Sequence, residues 1–214
     1  MNPAPALPEL ARQILGTDLT AAQQAALEGY LALLAHWNAT YNLTAVRDPA
    51  QVLVQHLADC LAIVPPLRRH LAEHPVQRLL DVGSGGGLPG LVIAVMEPAL
   101  QVTCVDAVGK KAAFVRQAAG ELGLRNLASE HARVEQLRAA PFELISSRAF
   151  SSLADLVRLT RHLLAPGGAW LAMKGRRPDD EVAALPGDVE VFHVEPLWVP
   201  HLDAERCVVW MRLA

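Results

Sequence analysis

Two hydrophobic periodicities divide the 214-residue chain. Up to about residue 62, apolar positions recur three or four residues apart, as on one face of an amphipathic helix. The positions that carry this pattern are Leu19, Ala22, Ala26, Tyr30, Leu33, Leu34 and Trp37. Asp48-Pro49 restarts it, since proline suits the first turn of a helix. The pattern predicts a helical cap over residues 1–62, with Thr17 or Asp18 capping its long helix and Pro65-Pro66 ending its last one.

From residue 76 onward, short apolar runs alternate with helical segments. Strands are predicted at 78–82, 101–105, 127–130, 142–147 and 169–174, and helices at 89–96, 110–122 and 153–164. Two closing runs, 189–197 and 206–213, predict an antiparallel pair. Strands that alternate with helices form parallel sheets with right-handed crossovers. The predicted fold is therefore α/β: a Rossmann-like, mostly parallel sheet over residues 63–214 with an antiparallel C-terminal hairpin, joined to the cap as one compact unit.

A glycine-rich turn follows the first predicted strand, in the sequence Asp81-Val82-Gly83-Ser84-Gly85-Gly86-Gly87. Bare backbone at Gly83 and Gly85 lets a nucleotide-like ligand approach closely. Asp106 ends the next strand, where a carboxylate accepts hydrogen bonds from ribose hydroxyls. Together these features predict an adenosine-type cofactor at the carboxyl ends of the strands.

The spacing of the glycines bears on which cofactor this is. The dinucleotide fingerprint needs a third glycine at position 88, which is Leu88. The observed spacing favours S-adenosylmethionine (SAM), whose ammonium group an acidic residue such as Asp81 would suit. A nicotinamide or flavin cofactor, or no cofactor, remain the alternatives.

Composition narrows the class of protein further. The chain is 52% hydrophobic with a net charge of −3, which indicates a globular protein. We find no signal peptide and no apolar run of the roughly 18 residues that a membrane span needs. The three cysteines, Cys60, Cys104 and Cys207, have no metal-ligand spacing and are expected to be reduced and buried. A cytoplasmic protein without a metal site is expected.

Basic residues cluster locally despite the net acidity. Arg47, Arg148, Lys174, Arg176 and Arg177 lie in loops expected on the ligand side of the sheet. They predict a basic face that binds RNA phosphates. A local cluster such as Lys174, Arg176 and Arg177, taken alone, is more simply interpreted as an ordinary solvated surface.

The loops after strands three and four carry the other candidate chemistry. Arg133-Val134-Glu135 either lies beside an adenine or begins a helix. Ser147-Arg148 is not followed by the Asn/Asp-Pro-Pro-aromatic motif of exocyclic-amine methylation, and no nucleophilic cysteine for cytosine-C5 chemistry lies there. The Arg148 guanidinium suits phosphate or guanine.

Two pairs in the cap allow both a structural and a functional interpretation. Trp37 and Tyr41 share a helix face and form either a hydrophobic staple or a lid over the cofactor. His56 and Asp59, three residues apart, are more simply a structural pair than a catalytic one.

Several of these motifs occur in the same order in one known family. The set comprises Trp37-Asn38, Tyr41-Asn42-Leu43-Thr44, His56, Asp59, the turn from Asp81 to Gly90, Arg133-Val134-Glu135, Ser147-Arg148-Ala149-Phe150 and Lys174-Gly175. Over residues 19–213 the chain resembles the bacterial 16S rRNA guanine-N7 methyltransferase family RsmG, also called GidB. It departs from the family at Gly86, where many members have proline.

The resemblance implies SAM as methyl donor and N7 of a guanine in 16S rRNA as acceptor, at position 527 of the loop near the decoding site. The cofactor contacts it implies are Gly83, Leu88, Asp106, Val134 and Glu135. Arg148 would lie between cofactor and guanine, with no general base. We expect a monomer that acts on the small ribosomal subunit. The alternatives are a non-catalytic, SAM-binding assembly factor and a methyltransferase of a small molecule or protein.

Overall fold

The computed structural model describes residues 6–214, so the first five residues of the predicted cap lie outside it. The cap consists of α1 (Leu7–Leu15), α2 (Ala21–Tyr41), α3 (Pro49–Val52), a π-helical segment (Leu53–Ala58), α4 (Asp59–Leu61) and α5 (Val64–Glu73). Helices α3 and α4 and the π-helical segment form one continuous run.

The residues at which the cap helices begin differ in part from those that the sequence predicted. Thr20, rather than Thr17 or Asp18, caps α2 in a capping box with Gln23. Asp48 caps α3, accepting the Gln51 N–H at 2.9 Å. Pro65 and Pro66 begin α5 instead of ending the helical region, because proline needs no hydrogen-bond acceptor in a first turn.

Seven strands form one sheet in the order β3-β2-β1-β4-β5-β7-β6. The strands are β1 (Arg78–Val82), β2 (Gln101–Asp106), β3 (Leu127–His131), β4 (Phe142–Arg148), β5 (Leu164–Lys174), β6 (Val189–Pro196) and β7 (Cys207–Leu213). The helices between them are α6 (Gly90–Met96), α7 (Gly109–Glu121), α8 (Leu153–Thr160) and α9 (Asp179–Ala183), with 3₁₀ turns at Val134–Gln136 and Arg161–Leu163. The β1 to β5 pairs are parallel, and β7 is antiparallel to both β5 and β6.

This architecture confirms the predicted α/β fold class, with its C-terminal antiparallel hairpin. The main difference lies before β5, which begins at Leu164 rather than at residue 169. Pro166-Gly167-Gly168 therefore lies within the strand, where the β4–β5 pairing also shifts register. Proline and glycine are tolerated there because an irregular register leaves backbone groups outside the ladder.

The two faces of the sheet carry separate hydrophobic clusters. One joins α6 and α7 to cap residues such as Leu10, Leu27 and Tyr30, all fully buried. The other joins α8 to the opposite face, around Trp170 and Ile145. The cap therefore shares a core with one face of the sheet.

One helical run, Pro49–Glu73, is long and apolar enough by composition to cross a membrane, with a mean hydropathy of 1.3. Of that apolar window, 61% is buried inside the protein. Leu57, Leu61 and Ile63 in this run have no exposed surface. The apolar positions are thus core positions of this fold, and the run is weak evidence for a membrane span.

Candidate cofactor and substrate site

The glycine turn after β1 has a backbone that side chains would disfavour. Gly83, Gly85 and Gly87 have positive φ angles of 66°, 57° and 88°. A Cβ on Gly83 would also lie 2.8 Å from Cδ2 of Phe150, closer than real Cβ contacts. The bare backbone predicted at Gly83 is therefore required by the structure itself.

The carboxylate of Asp106, at the end of β2, is held against this turn. Its Oδ2 accepts the Gly85 N–H at 2.9 Å, and its Oδ1 accepts the Val108 N–H at 2.8 Å. Each carboxylate oxygen has a further lone pair for a ligand hydroxyl. Asp106 is 8% exposed, so only a small part of this residue is accessible from solvent.

A cavity of about 330 Å³ opens at these strand ends. It brings together four of the predicted cofactor residues, Gly83, Asp106, Val134 and Glu135, with Phe150 on its wall. Residues Val134–Gln136 form a 3₁₀ turn, and Val134 and Glu135 of this turn also line the cavity, so the two interpretations of that loop are compatible. A concave site with a fixed carboxylate and a bare glycine backbone fits an adenosine moiety.

The other three residues of the predicted cofactor set, Gly85, Leu88 and Arg148, do not line this cavity. Gly85 contributes the backbone N–H that holds Asp106. Leu88 is 5% exposed, and its backbone N–H bonds to the carbonyl of Ser84. In this structure both act on the shape of the turn.

Asp81 has no exposed surface, so it does not meet a ligand's ammonium group as the sequence suggested. Its carboxylate accepts the Gly90 N–H at 2.8 Å and the Ser146 hydroxyl at 3.0 Å. Burial raises the pKa of Asp81 to about 7, against the opposing effect of these hydrogen bonds. Asp81 thus ties β1 to the start of α6 and to β4, beneath the glycine turn.

Arg148, at the end of β4, is bound to the cap. Its Nη1 donates to Asp59 Oδ2 at 3.1 Å and to the Gln55 carbonyl at 3.3 Å. The other oxygen of Asp59 accepts from Arg206 Nε at 2.7 Å. Asp59 is 2% exposed, so both arginines share one buried carboxylate.

The predicted pairing of His56 with Asp59 is wrong. The His56 ring instead lies 2.7 Å from the Thr44 hydroxyl, through Nε2. Burial, followed by the nearby charge of Arg148, lowers the pKa of His56, so this ring is neutral at pH 7. Three-residue spacing favours contact on a regular helix, but here the backbone between the two residues is π-helical and Asp59 has stronger cationic partners.

The remaining predicted RNA-binding residues differ in whether their charged groups already have partners within the protein. Lys174 Nζ donates to both oxygens of Glu181, Arg177 pairs with Asp179 at 2.7 Å, and Arg47 donates to the Asn42 side chain. Arg176 is exposed and makes no ion pair within residues 6–214. Of the predicted set, Arg176 is therefore the side chain most available to an external anion.

A cleft of about 790 Å³ lies beside these arginines. Arg176, Arg177 and Arg206 line it together with Trp198, whose side chain is 64% exposed. Sequence reasoning missed Trp198 and Arg206. The sequence carried no signal for Trp198, since Leu197, Trp198 and Val199 are all apolar and only the structure shows that the outer two are buried.

The aromatic pair of the cap packs against the sheet domain. The rings of Trp37 and Tyr41 lie 4.9 Å apart, and Trp37 meets Phe114 of α7 edge-on at 5.5 Å. The Tyr41 carbonyl accepts from Lys110 Nζ at 2.8 Å. These contacts favour the staple interpretation for Trp37.

Two further expectations concern metals and cysteines. No group of three His, Cys, Asp or Glu side chains suited to a metal ion occurs within residues 6–214. Cys60, Cys104 and Cys207 are free and buried, as predicted.

Comparison with known proteins identifies relatives across nearly the whole chain. The model of the family described as "GidB: rRNA small subunit methyltransferase G" matches residues 23–209. The ribosomal RNA small subunit methyltransferase G of Leptothrix cholodnii is 61% identical over 94% of this chain and 91% of its own length. That of Acidovorax sp. JS42 is 60% identical over 92% and 90% respectively.

Solved structures with low sequence identity share the fold. TrmN from Thermus thermophilus, 22% identical, superimposes with a TM-score of 0.57 over 72% of this chain and 48% of its own. The SAM complex of the glycopeptide N-methyltransferase MtfA gives 0.59 at 13% identity, over 73% of this chain and 94% of its own. The [4+2]-cyclase SpnF gives 0.57 at 17% identity, over 90% and 96%. The fold is thus that of class I methyltransferases, but a cyclase shares it, so the fold alone does not fix the reaction.

Proposed function

Because the chain belongs to the GidB family of rRNA small subunit methyltransferases, we propose that it transfers a methyl group from SAM to N7 of a guanine in 16S rRNA. The guanine is the one at position 527, in the loop near the decoding site. The enzyme acts as a cytoplasmic monomer on the small ribosomal subunit. The observation that carries the proposal is the match to the family model over residues 23–209. The relative from Leptothrix cholodnii, 61% identical over 94% of the chain, supports it.

The residues of the cavity fit SAM. Gly83 presents bare backbone, Asp106 offers carboxylate lone pairs to ribose hydroxyls, and Val134 with Glu135 forms the wall where an adenine would lie. Gly85 and Leu88 act on the shape of the glycine turn, through the hydrogen bonds to Asp106 and to Ser84. SAM, when bound, supplies an electrophilic methyl group.

The chain's own contribution to the reaction is orientation and the exclusion of water. Guanine N7 has an in-plane lone pair and no proton to lose, so the protein needs no general base. N7 must stay free of hydrogen bonds to accept the methyl group. Arg148 therefore serves by donating to guanine O6 or to a phosphate, which orients the base without blocking N7.

The basic face is proposed to bind the RNA substrate. Arg176 and Arg177 line a cleft at the same end of the sheet as Lys174, and Arg47 extends the basic residues onto the cap. Contacts from such side chains to RNA phosphates position the substrate without reading its sequence.

The test is to map methylated guanines in small-subunit rRNA from cells with and without the protein, and to repeat the transfer with purified protein, labelled SAM and isolated subunits. We expect loss of one N7-methylguanine in the deletion strain and its restoration in vitro. Unchanged rRNA with a defect in subunit assembly would support the non-catalytic assembly factor instead. Label transferred only to protein or to a small molecule would support the other alternative.

A further inference from the structure

We propose that Asp59 is the positioning residue of Arg148: it binds one side of the guanidinium so that the other side faces the substrate site. This inference rests on the proposed function, because it deepens the role given there to Arg148. The observation behind it is the buried carboxylate of Asp59, shared between two arginines from distant parts of the chain.

The hydrogen bonds show which part of Arg148 is occupied. Nη1 bonds to both Asp59 and the Gln55 carbonyl, so the cap holds this one nitrogen from two directions. The Nε atom of Arg148 is buried and has no hydrogen-bond partner in the described structure. A buried N–H without a partner is destabilising, so the site is incomplete until an acceptor from a ligand or water meets it.

The charge of the cluster supports the same assignment. Two guanidinium groups and one carboxylate leave one net positive charge among Arg148, Asp59 and Arg206. A free Arg148 could adopt many rotamers, whereas the contact with Asp59 restricts them. The shared carboxylate gives a fixed, cationic donor, which suits an acceptor such as guanine O6 or a phosphate oxygen.

The local backbone explains how the cap reaches Arg148. Residues Leu53–Ala58 are π-helical, and the Asp59 N–H bonds to the Val54 carbonyl five residues earlier. Single π-helical turns inside helices occur often at functional sites. Here the segment brings the Gln55 carbonyl and the Asp59 carboxylate into contact with the same guanidinium group, that of Arg148.

The decisive comparison is between Arg206→Gln and the double variant Asp59→Asn/Arg206→Gln, because these proteins differ only at residue 59. The double variant also keeps the net charge of wild type at the cluster, which avoids two buried cations without a counter-ion. The first readout is the ¹⁵Nε–H NMR signal of Arg148, assigned by its loss in Arg148→Lys. We expect a sharp, slowly exchanging signal in Arg206→Gln and its loss in the double variant.

The second readout is kcat/KM for methyl transfer to small subunits. We expect the double variant to be at least about tenfold below Arg206→Gln, as for loss of a charge-assisted contact that orients a reacting group. In an Arg148→Ala background, Asp59→Asn should change kcat/KM by less than about twofold, since it acts through Arg148. Asp18→Asn, in an exposed ion pair of the cap, is the matched control and should behave as wild type.

Each outcome is informative. An unchanged Arg148 signal in the double variant, or equal activity in the two proteins, would overturn the proposal. So would an undiminished effect of Asp59→Asn in the Arg148→Ala background. If wild type transfers no methyl group to rRNA but the signal is still lost, Asp59 positions Arg148 and it is the proposed function that fails.

Discussion

The hydroxyl of Tyr30, in helix α2, donates a hydrogen bond to the backbone carbonyl of Gly86, in the glycine turn, at 2.9 Å. Tyr30 is fully buried, and the tip of its side chain also lies where a Cβ on Gly86 would meet it at 3.4 Å. The cap therefore contacts the turn directly at Gly86.

Removing this hydroxyl should loosen the turn. Tyr30→Phe leaves the Gly86 carbonyl without its donor, and we expect the free energy of unfolding to fall by about 1–3 kcal/mol. Urea denaturation measures this. Tyr41→Phe is the matched control, because Tyr41 is 45% exposed, and it should change stability by less than about 0.5 kcal/mol. Equal effects of the two variants would show that the Tyr30 contact contributes nothing.

Two glycine-to-alanine substitutions should have opposite effects. Gly83→Ala places a Cβ at positive φ and 2.8 Å from Phe150, so we expect SAM affinity to fall at least about tenfold, with loss of stability. Gly120→Ala, inside α7 with nothing within 4 Å of its Cβ, should raise the free energy of unfolding by up to about 1 kcal/mol. Calorimetric titration and thermal melting measure both. Tight SAM binding by Gly83→Ala would exclude a close backbone approach there.

The carboxylate of Asp106 should contribute directly to cofactor affinity. Asp106→Ala removes the acceptor for ribose hydroxyls and also frees the Gly85 N–H that it holds. We expect SAM binding to weaken by about 1–3 kcal/mol in calorimetric titration. Unchanged affinity in a folded variant would remove Asp106 from the site.

Most of the strands and the ligand side of the sheet follow from local patterns in the sequence. Strand β1 has the predicted bounds, and Asp106 ends β2 beside the glycine turn. The partners of Arg148 could not be predicted in this way, since Asp59 and Gln55 lie 89 and 93 residues before it in the chain. Local spacing linked Asp59 to His56 instead, because it contains no information on which distant cation reaches a buried carboxylate.

RNA affinity should depend on Arg176 more than on Lys174. Arg176 makes no ion pair within residues 6–214, whereas the Lys174 ammonium is bound to Glu181 and to the Ser151 carbonyl. We expect Arg176→Ala to reduce the slope of log affinity against log salt by about one, the value for one phosphate contact. Arg12→Ala removes a basic side chain of helix α1 that forms an exposed ion pair with Asp18, and it should leave the slope unchanged. A wild-type affinity that does not vary with salt would contradict the basic face.

The rate of methyl transfer should be nearly independent of pH from about 6 to 9, because guanine N7 reacts without losing a proton and no base has to be deprotonated first. Single-turnover measurements at saturating SAM and subunits isolate this step. The lowered pKa of His56 keeps its ring neutral over most of this range.

Asp81 supplies a control for this profile, since its pKa of about 7 lies inside the range. A carboxyl group with a raised pKa in the folded state binds a proton that the unfolded chain has already released. Stability therefore falls as the pH rises from about 4 to about 7 and is level above that. Any weak rise or fall in rate near pH 7 that comes from this change should disappear in Asp81→Asn, where the group cannot ionise. A steep dependence that survives in Asp81→Asn and is abolished by replacing another His or carboxylate would show that the enzyme uses a general base.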